Sequence, residues 1–146
     1  FKLGFVHFLF AGCFTYFSFL FIPDYFYKTW PYTEYVIQPS FLIIGIFISI
    51  KILQKLRELE NLESVDLYEI LKISTILYFL VLPLFLLSMS FLITIGFGGS
   101  FLYFLKGIPE NLFGGGMETL YMYSVAFAYG LLFYLVTKYL LFKNRP

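Results

Sequence analysis

Long stretches without a formal charge are the feature that most restricts how this chain can fold. Leu3–Ile22 and Ile73–Phe97 contain no Asp, Glu, Lys or Arg. At a rise of 1.5 Å per residue, a helix of about 20 residues crosses a hydrocarbon core that is about 30 Å thick. Both stretches therefore predict transmembrane helices.

Two further stretches have the same apolar character. Val36–Ile50 is shorter, but the lysine that follows it can extend its charged end to the membrane interface. Pro39 would lie in the first turn of this helix, where its missing N–H costs least. Thr119–Thr137 is the fourth stretch, and its apolar character continues to about residue 141. The sequence predicts four transmembrane helices, at about residues 3–22, 36–54, 73–97 and 119–141.

The composition also favours a membrane protein. The chain has 146 residues, of which 60% are hydrophobic, with 21 Phe and 13 Tyr. Soluble domains contain about 45–50% apolar residues, and a soluble chain of this length cannot bury so many large apolar side chains. The length corresponds to one domain. We therefore predict an all-α protein with a single polytopic membrane domain over residues 1–146.

Nearly half of the charged residues lie in one segment, KILQKLRELENLESVDLYEILK (residues 51–72). Cations come first and acids follow, an order that suits the negative end of one helix dipole and the positive start of the next. Asp66 and Glu69 have the spacing of a capping box in which Asp66 is the N-cap. Leucines at every third position favour an amphipathic helical extension. We predict a water-exposed hinge over residues 51–72 that joins two helical hairpins.

The basic residues predict the orientation of these hairpins. With both termini and the hinge on one side, the opposite side contains only Lys28 and Lys106. Basic residues favour the cytoplasmic side of a membrane. Both termini and the hinge are therefore expected on the inner side, in a bacterial or archaeal cytoplasmic membrane or an organellar inner membrane. The inner side has eight of the ten basic residues: Lys2, Lys51, Lys55, Arg57, Lys72, Lys138, Lys143 and Arg145.

The loop at residues 98–118 contains two glycine runs around the segment FLYFLKGIPENLF. Neither run follows a strand or includes the lysine of a phosphate-binding loop, so no nucleotide site is predicted. The glycines instead let this loop fold back as a short amphipathic segment. Its aromatic residues favour the headgroup layer, where an amphipathic ring satisfies both neighbours.

His7 and Cys13 are the only histidine and the only cysteine. A haem ligand at His7 would need a second ligand or an open coordination position, which a partner chain would have to supply. A hydrogen-bonded structural residue is the more common role of such a histidine. Cys13 is expected to be an inert packing residue. The sequence predicts no catalytic, cofactor-binding or metal-binding residue, and bound lipids are the only cofactors expected.

Small residues and one proline mark where helices touch or bend. Pairs of small residues on one face allow close approach of two helices. Phe133 is expected to face lipid. Pro83, inside the third predicted helix, removes the hydrogen bond to the Phe79 carbonyl or bends the helix, as a packing device or a gating hinge. The predicted contact positions are Gly45 with Ser49, Ala126 with Gly130, and Ala11 with Gly12.

No charged residue lies deep in any predicted span. Charge inside a bilayer is costly and usually marks an ion or proton path, so this pattern argues against a proton-coupled transporter or a small multidrug pump. It also removes the obvious acid, base and nucleophile pairs of an enzyme. A net charge of +1 gives no electrostatic signature of nucleic-acid binding.

Two hypotheses about function remain after these exclusions. The first is a non-catalytic integral membrane subunit of a larger membrane protein complex, respiratory or energy-transducing in type. Its partners would be other membrane subunits and the lipid bilayer. The alternative is a small homo-oligomeric carrier or a lipid flippase-like protein. An independent enzyme ranks third.

Overall fold

The computed structural model describes the backbone of residues 1–21, 32–60 and 66–143 and most of their side chains. All regular structure in these ranges is helical, which confirms the predicted all-α class. We number the helices in chain order: α1 (Lys2–Phe21), α2 (Thr33–Leu59), α3 (Leu67–Gly96), α4 (Phe101–Phe113) and α5 (Met117–Phe142).

Three helices are long and apolar enough to cross a membrane: Val36–Leu59 within α2, and the whole of α3 and α5. Their lengths of 24, 30 and 26 residues exceed the roughly 20 residues that a bilayer core requires. The chain is therefore a multi-pass membrane protein by helix length and composition. In α1 the residues with described side chains, Lys2–Thr15, form a shorter apolar helix, so the fourth span and the two-hairpin topology stay predictions.

Helices α2 and α3 extend further into the charged segment than hydropathy indicates. α2 continues through its basic residues to Leu59, and α3 begins at Leu67 rather than at residue 73. The reason is that Leu, Lys, Arg and Glu are all good helix formers, so backbone hydrogen bonding continues beyond the apolar stretch. Much of the predicted hinge is therefore helical, and its centre, residues 61–65, lies outside the described residues.

Two helix starts have side-chain caps. Asp66 Oδ1 accepts a hydrogen bond of 2.9 Å from the N–H of Tyr68, which confirms the predicted N-cap of α3. Glu69 lies 4.0 Å from the Lys72 ammonium, in an exposed pair one turn apart. Ser100 caps α4 in the same way, and α4 coincides with the amphipathic segment expected in the loop at 98–118.

The chain divides into two compact units. The first contains Phe1–Leu77 and Tyr129–Pro146, and the second contains Tyr78–Ala128. Helices α3 and α5 each begin in one unit and end in the other. A single membrane domain over residues 1–146 stays a prediction.

In the first unit, α1 packs antiparallel to α2. A Cβ built on Gly45 would lie 2.7 Å from Phe14 Cβ and 3.0 Å from the Ala11 carbonyl oxygen. Gly45 and Ala11 are therefore confirmed as contact positions of their helices, and the structure shows that they meet each other at a distance that only glycine allows. Gly12, in contrast, has open space at the same position, so its predicted role in the contact is wrong.

A second close approach in this unit was not expected from the sequence. A Cβ on Gly4 would lie 2.8 Å from Ile73 Cβ, so α1 also touches the start of α3. Leu3, Leu53 and Ile70 form a buried cluster at the same place. The start of α1, the end of α2 and the start of α3 therefore lie together.

Aromatic contacts organise the second unit. Phe91 of α3 meets Phe101 and Phe104 of α4 edge to face, with ring centroids 6.5 and 5.3 Å apart. At the other end of α4, Phe113 stacks on Tyr123 of α5 at 6.3 Å. These contacts attach α4 to both neighbouring helices.

Candidate functional site

The imidazole of His7 is the largest fully buried polar side chain in the described part of the chain. Its side chain is 0% exposed, and each ring nitrogen meets a hydroxyl. Nδ1 is hydrogen-bonded with Ser49 Oγ of α2, and Nε2 lies 3.0 Å from Thr137 Oγ1 of α5. We call these three residues the His7 cluster. It joins three helices of the first unit through one ring.

The packing of α1 on α2 brings the first two members together. His7 lies one helical turn from Ala11, and Ser49 lies one turn from Gly45, so both face the close contact between these helices. Ser49 Oγ is also 3.2 Å from the His7 carbonyl oxygen. The short separation of the two backbones therefore places the Ser49 hydroxyl against both the ring and the main chain of His7.

An aromatic residue of α5, Phe133, packs against the His7 ring. Phe133 lies one turn before Thr137, and its ring centroid is 5.3 Å from that of His7. Phe133 is 0% exposed, so the expectation that it faces lipid is wrong. The reason is its spacing: Gly130, Phe133 and Thr137 recur on one helical face, and all three are buried.

The hydrogen bonds of the cluster are satisfied with a neutral ring in two ways. When the Ser49 hydroxyl donates to the His7 carbonyl, Nδ1–H donates to Ser49 and Thr137 donates to Nε2. When Ser49 donates to Nδ1 instead, Nε2–H donates to Thr137. Among the described residues, the buried polar side chains are those of the cluster and Ser74, and none is an acid. The cluster is therefore suited to a neutral imidazole.

This geometry limits what His7 can do chemically. A haem or other metal at His7 would have to displace a hydroxyl, because both nitrogens are occupied. Among the described residues, no group of three or more His, Cys, Asp or Glu is placed to hold a metal ion. Cys13, also in α1, is partly buried and unpaired with another cysteine. The arrangement fits the structural role that the sequence favours for His7.

The sequence patterns do not connect the three members of the cluster. Ser49 was expected only as a small contact residue, and Thr137 only as the end of the fourth apolar stretch. One signal could have found Ser49: a hydroxyl residue one turn from a small residue is well placed to bond across a close helix contact.

A groove in the second unit is the other candidate site. It is open, mostly apolar and about 450 Å³ in volume. Leu82, which lines the groove, directly precedes Pro83, and Pro83 lies within α3 rather than at its end. We call this feature the Pro83 groove. Its lining comes from two helices, with Phe79 and Leu82 of α3 and Tyr123, Ser124, Ala126 and Phe127 of α5.

The fold and these two sites define a multi-pass helical membrane protein with an interhelical hydrogen-bonded cluster and an apolar groove. A comparison of the chain with models of protein families, with curated proteins and with solved structures gives no match.

Proposed function

We propose that this chain is a non-catalytic integral membrane subunit of a larger membrane protein complex, with a structural or assembly role. The observation that carries the proposal is the surface of α3. Its buried residues are Ile70, Leu71 and Ser74, and in the described chain none of the α3 residues after Ser74 is buried. An apolar helix that the described residues leave largely exposed offers a long surface for neighbouring subunits.

The second unit adds exposed aromatic and methionine side chains to this surface. Phe97, Phe113 and Met117 are 89%, 74% and 79% exposed, and all three lie in or next to the short connections around α4. Aromatic residues and methionine are enriched where proteins bind one another. These positions are suited to docking of another chain.

The His7 cluster supports the same function. Its polar groups bond to one another and connect helices, so they stabilise the first unit instead of offering groups to a substrate. In the four-span arrangement that we propose, both termini and the hinge face the cytoplasmic side, in accordance with the distribution of basic residues.

The test is purification from native membranes in a mild detergent, with identification and quantification of the chains that co-migrate. A photoreactive residue at Leu92, which is 63% exposed, should cross-link to one defined membrane chain. The same residue at Leu42, which is 0% exposed, should not. A chain that purifies alone and cross-links only to lipid at Leu92 would contradict the proposal.

The Pro83 groove favours a second candidate, a small homo-oligomeric carrier or a lipid flippase-like protein. Such a protein needs a place for its substrate within the membrane, and the groove provides one beside a proline of α3. The purified chain should then move a defined solute or lipid in liposomes. Substituting Ala126→Phe, which fills the groove, should abolish that flux.

A further inference from the structure

The Pro83 groove is mostly apolar, but a polar backbone group, the carbonyl of Phe79, lies beside it. Pro83 has no N–H, so the Phe79 carbonyl lacks the donor that a helix normally supplies four residues later. In a helix, the carbonyl oxygen of a residue lies towards the side chains three and four positions ahead. The Phe79 oxygen is therefore directed towards Leu82 and Pro83, and both Phe79 and Leu82 line the groove.

A second acceptor lies on the facing helix. The Ser124 hydroxyl donates to the Leu120 carbonyl at 2.8 Å, so its proton is used and its oxygen keeps free lone pairs. Ser124 lines the groove on the α5 side. The Phe79 carbonyl favours an occupant that brings a donor, because an unsatisfied carbonyl in an apolar surrounding is costly, and the Ser124 oxygen is a second available acceptor.

The depth of the Pro83 groove in the bilayer restricts the charge of its occupant. Helix α3 has 30 residues, and Pro83 lies near its centre. A helix centred on the bilayer places this position at about the midplane of the hydrocarbon core. A charged phospholipid headgroup is excluded from that depth by its solvation cost. The polar group of the occupant must be an uncharged donor.

The groove is short for a docked helix. The α5 side of the lining extends from Tyr123 to Phe127, a rise of only about 6 Å. A volume of about 450 Å³ is within the usual range of small-ligand sites. We propose that the Pro83 groove binds a neutral lipid with a hydroxyl group, its apolar body along Phe79 and Phe127 and its hydroxyl donated to the Phe79 carbonyl. This binding of a lipid is compatible with both a complex subunit and a carrier.

The experiment uses the purified full chain in phosphatidylcholine nanodiscs with a photoreactive long-chain alcohol. A second probe is the methyl ether of the same alcohol, which has the same apolar body and no donor. We expect the alcohol to label peptides that contain Phe79–Leu82 or Tyr123–Phe127 about three- to tenfold more than the ether does, the range of one hydrogen bond. Equal labelling by the two probes would overturn the proposal.

Two variants separate the carbonyl from the groove itself. Pro83→Ala restores an N–H to the Phe79 carbonyl and should lower labelling by the alcohol to the level of the ether. Its matched control, Pro39→Ala in α2, should leave the labelling by both probes unchanged. Ala126→Phe should lower labelling by both probes. Circular dichroism and the unfolding midpoint of each variant confirm that it is folded.

The outcome at Pro83 is decisive in either direction. Undiminished labelling of a folded Pro83→Ala variant would show that the carbonyl does not bind the hydroxyl. A photoreactive residue at Phe127 that cross-links to a protein chain in native membranes would show a protein in place of the lipid, and would also overturn the proposal. Because the nanodisc experiment uses the isolated chain, its result is independent of whether partner subunits exist.

Discussion

At the scale of single residues, the association of helices in the first unit depends most on the side chain of His7. Its ring contacts Ser49, Thr137 and Phe133, and all of them are buried. In a membrane, apolar side chains gain little by leaving lipid for protein, so polar bonds and close packing determine which helices associate. The His7 cluster supplies both at one point.

Removing the imidazole should therefore destabilise the protein. His7→Ala removes the shared partner of the Ser49 and Thr137 hydroxyls and creates a void beside Phe133. We expect a loss of about 1–2 kcal/mol in the free energy of unfolding, measured by titration with a denaturing detergent.

A matched control for this variant lies in α2. The exposed Ser40 hydroxyl donates to the Val36 carbonyl of its own helix at 2.6 Å, so Ser40→Ala should cost much less. A double-mutant cycle of His7→Ala with Thr137→Val should show coupling. If the two single effects simply add, the bond between these residues contributes nothing to stability.

At the scale of helices, the contact between α1 and α2 depends on Gly45. A Cβ there would meet the Phe14 side chain and the Ala11 backbone closer than ordinary contact distances. Gly12 offers a direct comparison on the other helix, since nothing lies within 4 Å of its Cβ position.

The two glycines should respond differently to the same change. Gly45→Leu forces α1 and α2 apart and should cost about 1–3 kcal/mol or more, because packed contacts do not absorb an inserted side chain. Gly12→Leu should change stability little. The comparison is made by the unfolding free energy of each variant in the same detergent, and equal effects would show that the α1–α2 contact does not limit stability.

At the scale of the whole molecule, the basic residues predict which ends of the helices share a side of the membrane. In the first unit, Lys2 of α1 pairs with Glu60, just after α2, at 3.3 Å. This contact and the Leu3, Leu53 and Ile70 cluster bring the first three chain segments together at one end.

Cysteine accessibility provides the test of the membrane topology. With Cys13 replaced by alanine, single cysteines at Glu60 and Lys143 should react with an impermeant reagent from one side. Cysteines at Tyr32 and Ser100 should react only from the other side. Labelling of Glu60 and Tyr32 from the same side would refute the four-span arrangement.

Local properties of the sequence were enough to predict several elements. Hydropathy identified the three long spans, the Asp66 cap followed from its side-chain oxygen, and α4 followed from the amphipathic segment between glycines. Each of these depends on residues close together in the chain. The glycine of the α1–α2 contact was also predictable, because close helix approach demands a small residue.

Only the tertiary structure decided which faces of the helices meet. The long helices α1, α2, α3 and α5 are apolar on nearly all sides, so no amphipathic pattern distinguishes a packed face from a lipid-exposed one. For this reason Phe133 was misplaced, Gly4 was overlooked, and His7, Ser49 and Thr137 were not connected. Their association depends on the register between helices that are distant in sequence, and that register is set by side-chain packing in three dimensions.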